Sequence, residues 1–242
     1  MNLLEGFPRQ KIVFFTGSGI SKESGIPTFR DEDGLWKNHN PEELASVSGF
    51  FENLEIALEF LNNLRLKIYN AQPNHAHQII AALEQNHDVT VVTQNVDDLH
   101  ERAGSSKIIH LHGEFAKVTS SLRRMDPQCI RNVPMNVPIK VGDKAADGSQ
   151  ERPAIVMFGE YLPEEAVEAA EKALREADIV VVIGTSLKVY PAASYIGYAS
   201  NYALKYIIDP GEPNYTAYDF THIRKPATEG IDTCLDLIAS QL

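Results

Sequence analysis

The sequence predicts an α/β protein: a doubly wound, parallel, Rossmann-like sheet with a second, smaller domain built from two insertions. Three observations predict it. Short strand-like runs alternate with helical patterns along the chain. Several of those runs are continuous in Val and Ile, as expected of strands covered on both faces. The first of them leads straight into a glycine-rich turn.

Six runs are expected as strands: residues 11–16, 89–93, 107–111, 155–158, 179–183 and 206–208. Between them, Asn74 caps a helix to Glu84 that carries Ile79, Ile80 and Leu83. Pro163 and Glu164 open a helix whose Ala166, Val167, Ala170, Ala173, Leu174 and Ala177 share one apolar face. Ile231, Cys234, Leu235 and Ile238 mark a final amphipathic helix. Two stretches leave this alternation. Residues 31–71 hold a long helical stripe of Phe51, Leu54, Leu58, Leu61, Leu64 and Ile68. Residues 114–153 are irregular and rich in Pro and Gly, with Val133, Val137, Ile139 and Val141 as a strand-like cluster. The expected division is therefore 1–30, 72–113 and 154–242 for the Rossmann-like domain, and 31–71 with 114–153 for the small one.

Composition narrows the function. The chain has 242 residues with 22 basic and 33 acidic side chains, a net charge of −11. That argues against nucleic acid as a partner, which needs a basic patch. No apolar run reaches the roughly 20 residues that span a bilayer, and no signal peptide is expected. The two cysteines, Cys129 and Cys234, make no disulfide framework and fit a reducing cytoplasm. Nothing in the sequence sets an oligomeric state.

The glycine-rich turn reads Thr16-Gly17-Ser18-Gly19-Ile20-Ser21-Lys22. Glycines at a strand-to-helix turn let backbone approach a pyrophosphate. The third glycine of the hydride-transfer fingerprint is missing, because Lys22 stands in its place, and no second strand follows with an acidic end. Dinucleotide binding of another kind and a tight turn without ligand both fit this segment alone. Thr93-Gln94-Asn95-Val96-Asp97 follows a buried-type strand, so its polar groups emerge at the carboxyl end, where open sheets bind ligands. A helix start capped by Asn95 or Asp97 fits equally. In His110-Leu111-His112-Gly113 the two histidines are expected on one face of a strand.

Gly17-Ser18-Gly19-Ile20-Ser21, Ser24-Gly25-Ile26-Pro27, Phe29-Arg30 and Gly34-Leu35-Trp36 together resemble the opening signature of the sirtuins. Three further blocks agree in order: Thr93 to Asp97, His112-Gly113, and Phe158-Gly159-Glu160 followed by Gly184-Thr185-Ser186 and Pro191. The resemblance implies NAD as a consumed co-substrate and an acyl-lysine protein or peptide as partner. It implies His112 as general base, a role suited to a reference pKa of about 6.5. It places Asn95, with Gln94 and Asp97, at the nicotinamide ribose and carboxamide. Gly17, Ser18, Gly19, Ser21 and Arg30 would line the cofactor, Phe29 would shield the sugar, and Gly184, Thr185, Ser186, Asp209 and Ala227 would lie on the adenosine side. Phe158, Gly159 and Glu160 would meet the peptide.

Two departures matter. Most sirtuins hold a structural zinc with four cysteines, yet residues 114–153 contain one cysteine and no histidine, so no zinc and no other metal is expected. Members that prefer succinyl groups carry a Tyr and an Arg three residues apart, where this chain has Leu61 and Leu64. A neutral, apolar acyl group, acetyl or longer, is expected, since an unpaired carboxylate against leucines is costly. The alternatives are NAD cleavage by hydrolysis or ADP-ribosyl transfer, and a non-catalytic NAD- or ADP-ribose-binding module.

Overall fold

The structure, a computed structural model, describes residues 4–28, 44–215 and 219–242. Its strands in chain order are β1 (Lys11–Thr16), β2 (Asp88–Thr93), β3 (Ile108–His110), β4 (Gly113–Ser120), β5 (Arg131–Asn132), β6 (Glu151–Ile155), β7 (Ile179–Ile183), β8 (Leu204–Ile208) and β9 (Thr221–Ile223). The α-helices are α1 (Gly19–Lys22), α2 (Val47–Glu52), α3 (Leu54–Asn70), α4 (His75–Leu83), α5 (Leu99–Ala103), α6 (Glu164–Glu176) and α7 (Ala227–Ala239). None is long and apolar enough to cross a membrane among the described residues.

Six strands form one parallel sheet in the order β3-β2-β1-β7-β8-β9. The strand sequence turns about between β1 and β7, which is the switch point where such sheets open a crevice. Side-chain alternation explains the Val and Ile runs. Ile12 and Phe14 of β1, with Ile179, Val181 and Ile183 of β7, pack beneath α4 and α7. Val13 and Phe15, with Val180 and Val182, pack against Ala170 and Leu174 of α6. Each fully buried Val or Ile contributes about 1.5–3 kcal/mol, so a strand covered twice gains from every residue. Asn74 caps α4 as expected, its side-chain oxygen accepting from Ala76 N at 3.0 Å.

A second sheet, β5-β4-β6, is antiparallel and packs Phe115, Val118 and Ile155 against Leu58, Leu61, Leu64 and Ile68 of α3. Here the structure corrects several expectations. The run at 155–158 is not a strand of the main sheet: its strand is Glu151–Ile155, paired with β4 alone. Pro153 is tolerated because β6 is an edge. Glu151 and Arg152 are buried because each has an ionic partner, Arg131 and Glu160 respectively. The stretch from 114 is not irregular at its start, since β4 runs to Ser120. Val133, Val137, Ile139 and Val141 form no strand. Val133 and Ile139 are buried, but turns at 134–137 and 140–143 leave Val137 47% and Val141 58% exposed. Phe51 leaves the apolar stripe, at 49% exposure, because α2 ends at Glu52 and α3 begins afresh at Leu54.

The module of residues 114–153 closes on oxygen atoms. Ser120 Oγ donates to Asp147 Oδ2 at 2.6 Å and lies 2.8 Å from Ser149 Oγ. The same oxygen accepts from Leu122 N and Arg123 N at 3.0 and 2.7 Å. The Ser120 and Ser149 hydroxyls hold the Asp147 carboxyl below the usual carboxylate range.

Candidate active site at the sheet switch point

The register aligns Thr16 with Thr93 on one side and Ile183 on the other, so the turns after β1, β2 and β7 meet. Glycine is required there for packing between turns. A Cβ on Gly17 would lie 2.7 Å from Thr185 Cβ, and one on Gly19 would lie 2.6 Å from Gly184 Cα. Gly184 itself has φ +64°, and its Cβ would reach 2.3 Å from Ile20 N. The close approach anticipated for a pyrophosphate is thus also an approach of backbone to backbone.

The polar groups after β2 are drawn into this junction. Asn95 Nδ2 donates to Gly17 O at 3.1 Å and to Ser21 Oγ at 3.3 Å. Ser21 Oγ donates to Asp97 Oδ2 at 2.9 Å. Gln94 Nε2 donates to Thr185 Oγ1 at 3.2 Å, joining the third turn. Burial pushes the Asp97 carboxyl up to about 6, against the bonds from Leu99 N and Ser21 that favour its charge. Asp97 also takes the helix-start role, its Oδ1 accepting from Leu99 N at 3.2 Å. Capping and site residue coincide.

His112 does not lie on a strand. β3 stops at His110, and His112 sits in the turn before β4. That turn needs Gly113, whose φ is +74° and whose Cβ would lie 2.1 Å from Ala154 O. His112 Nδ1 is 2.7 Å from the Gln94 carbonyl, which can only accept, so Nδ1 carries the proton. The lone pair is then on Nε2, which meets no hydrogen-bond partner among the described residues. Burial lowers the His112 pKa, which keeps the ring neutral at pH 7, while the Gln94 carbonyl acts the other way. His110 differs. Burial opposes its charge, but Glu101, 2.7 Å from Nε2, outweighs that and raises its pKa. Glu101, His110 and Glu114 bring ligand-type atoms within 4.8 Å of one another, but Glu114 is paired with Lys117 and Glu101 with His110.

The remaining expected residues divide. Ser18 precedes α1 and makes no side-chain cap bond. Ser186 O accepts from Asn214 N in the turn after β7. Asp209 follows β8, its Oδ1 accepting from Gly211 N at 2.8 Å, and Ala227 begins α7. Phe29, Arg30 and the Gly34-Leu35-Trp36 segment lie outside the described residues. Leu61 and Leu64 are buried under the second sheet. Phe158 is held from both sides by backbone, donating to Ala45 O at 2.8 Å and accepting from Val47 N at 3.2 Å. Glu160 accepts from Met157 N at 2.8 Å and pairs with Arg152 and with Arg124, the latter at 3.3 Å. It braces the 157–160 turn from beneath, a role the motif alone did not reveal.

A parallel sheet that converges three polar turns on its switch point is the architecture of doubly wound nucleotide-binding proteins, here with a neutral imidazole added. The particular family is fixed by sequence: the model of the Sir2 family matches residues 17–191, and the chain belongs to that family. It is 45% identical over 231 residues to an NAD-dependent protein deacylase of Bacteroides thetaiotaomicron, covering 95% of this chain and 98% of that one. An NAD-dependent protein deacylase of Helicobacter pylori (strain ATCC 700392 / 26695) is 46% identical over 205 residues, covering 85% and 86%. A solved Sir2 homolog–NAD complex superimposes with TM-score 0.80 at 37% identity, over 95% of this chain and 90% of that one. A Sir2–p53 peptide–NAD⁺ structure does so at 0.77 and 28%, over 98% and 96%.

Proposed function

We propose that this protein is an NAD-dependent protein-lysine deacylase. The observation that carries the reading is His112, half-buried, neutral and lone-paired at Nε2, tied through Gln94 to a polar junction of three turns. The relatives named for NAD-dependent deacylation and solved with NAD support it. In the reaction the bond between nicotinamide and ribose breaks and the acyl oxygen of the lysine amide bonds to the vacated carbon. A ribose hydroxyl, losing its proton, then attacks the acyl carbon, the carbon–nitrogen bond to lysine breaks with the amine taking up a proton, and one water adds to the remaining acyl-bridged sugar, giving nicotinamide, free lysine and O-acyl-ADP-ribose.

The chain's own residues divide the work. His112 Nε2 takes the proton from the attacking ribose hydroxyl, as a general base with a pKa below working pH can. Asn95 and Asp97, preset by Ser21 and Gly17, orient the nicotinamide ribose with Gln94. Gly17, Ser18, Gly19, Ser21, Gly184, Thr185 and Ser186 line the phosphates and adenosine, with Asp209 and Ala227 toward the adenine end. Phe158, Gly159 and Glu160 border the peptide. Positioning of two substrates is itself worth several kcal/mol.

The acyl group is neutral and apolar, because Leu61 and Leu64 stand where the succinyl-preferring members carry Tyr and Arg and offer no charge to a carboxylate. A thiolate zinc site does not fit this chain, since residues 114–153 supply one cysteine, buried Cys129, and no histidine. We therefore propose a zinc-free enzyme of the cytoplasm, acting on acyl-lysine proteins and not on nucleic acid or membranes. Residues 31–71 and 114–153 form its small domain and the rest its NAD-binding domain. The test is mass spectrometry of products from NAD with acetyl-, succinyl- and myristoyl-lysine peptides, beside His112→Ala. Free lysine and O-acyl-ADP-ribose, absent in the variant, are expected. Nicotinamide release without deacylation would instead mark a hydrolase or transferase, and NAD binding without turnover a binding module.

A further inference from the structure

Arg65 is wholly buried, at 0% exposure, in the middle of α3. Its five N–H groups are all used. Nε donates to Phe115 O at 3.2 Å. Nη1 donates to Val137 O at 2.6 Å and to Asn62 Oδ1 at 3.4 Å. Nη2 donates to Val133 O and Pro134 O at 3.4 and 3.1 Å. One turn earlier, Asn62 clamps Ile139 from both sides: Nδ2 donates to Ile139 O at 2.8 Å and Oδ1 accepts from Ile139 N at 2.9 Å. The segment from 133 to 139, which forms no strand, is thus bound to α3 by side chains where a sheet would use backbone.

The connection continues to the site. Phe115, whose carbonyl Arg65 holds, donates its own N–H to Val96 O at 2.9 Å. Val96 stands between Asn95 and Asp97. On the other side Leu61, Leu64 and Arg65 lie at i, i+3 and i+4, so they share one face of α3. One guanidinium therefore joins three bodies: the helix of Leu61 and Leu64, the 133–139 segment, and the β4 residue bonded to the loop of Asn95.

We propose that Arg65 is a positioning residue for the deacylation, fixing α3 with Leu61 and Leu64 against the loop of Asn95 through Phe115. The inference rests on the deacylase reading for its kinetic consequence, but its structural part is independent of that reading. Lysine cannot replace arginine here, because a point ammonium with three donors cannot span carbonyls spread over Phe115, Val133, Pro134 and Val137.

The experiment compares wild type with Arg65→Lys and the milder Asn62→Ala, by hydrogen exchange and by steady-state kinetics. In Arg65→Lys, exchange at the amides of Phe115 and Ile139 should rise about tenfold or more, with β1 and β7 unchanged. KM for acyl-lysine peptide should rise about fivefold or more, with KM for NAD within about twofold. Asn62→Ala should show the same pattern at smaller amplitude, and it decides the matter if Arg65→Lys does not fold. Unchanged exchange at Phe115 overturns the linkage. A fall in thermal stability with both KM values at the wild-type level leaves Arg65 merely structural and overturns the positioning role. Wild type without turnover on any acyl peptide sinks the deacylase reading instead, and the exchange arm still decides the linkage.

Discussion

At the scale of single residues, the ring of His112 is preset twice: its tautomer by the Gln94 carbonyl and its neutrality by burial. His112→Ala should reduce deacylation by about 10²–10⁴-fold, the range for a lost general base, while NAD binding by titration calorimetry survives. The direction of the pKa shift fixes a second outcome. A base must be unprotonated to act, so the acid limb of kcat/KM should lie below pH 6.5, shifted toward acid relative to free imidazole. Asp97 carries the opposite sign. Its carboxyl, at about 6 in the folded chain and 3.8 unfolded, favours the folded state most below pH 3.8 and loses that contribution as pH rises through about 6. Asp97→Asn removes the titrating group, so thermal denaturation of this variant against wild type across pH 4 to 7 should show the wild type losing ground toward pH 7.

At the scale of elements, two turns are so close that only glycine fits. Gly184→Ala would put a side chain into the left-handed region, which costs about 1–2 kcal/mol, and against Ile20 N as well. Its melting temperature should fall by several degrees, and NAD affinity should fall with it. The 157–160 turn depends on a buried ion pair: Glu160→Ala leaves Arg152 charged without its partner, at about 3–5 kcal/mol. Denaturant titration measures this directly. These features also show what the sequence reveals and what it hides. β1, β2, β7 and β8 were legible because both faces are apolar, and the Gln94-Asn95 block because it follows such a strand. β6 was not, since Glu-Arg-Pro reads as exposed until Arg131 and Glu160 are seen to neutralise it. β9 has three residues and too little pattern to register. Arg65 falls on the apolar face by spacing, four residues after Leu61 and three before Ile68, but its charge hides its burial until the backbone carbonyls that receive it are seen.

At the scale of the whole molecule, two hydrophobic bodies meet beside the site: the sheet with its two covering layers, and α3 with the antiparallel sheet. The second is small and part of it forms no regular structure, so it depends on polar closure by Ser120, Asp147, Asn62 and Arg65. Elemental analysis should find no stoichiometric zinc, and a chelator should leave both melting temperature and activity unchanged.

The Ser120 junction closes its module without sulfur, which bears on its resistance to oxidants. Metal-thiolate staples fail when peroxide attacks their sulfur, whereas serine hydroxyls and carboxylates do not react readily with peroxide. Both thiols of the chain are sequestered in its interior, and burial raises the pKa of Cys234 far above physiological pH, so that residue carries little thiolate. Peroxide and alkylating reagents should therefore leave the closure of this module intact, with the melting temperature after treatment as the check.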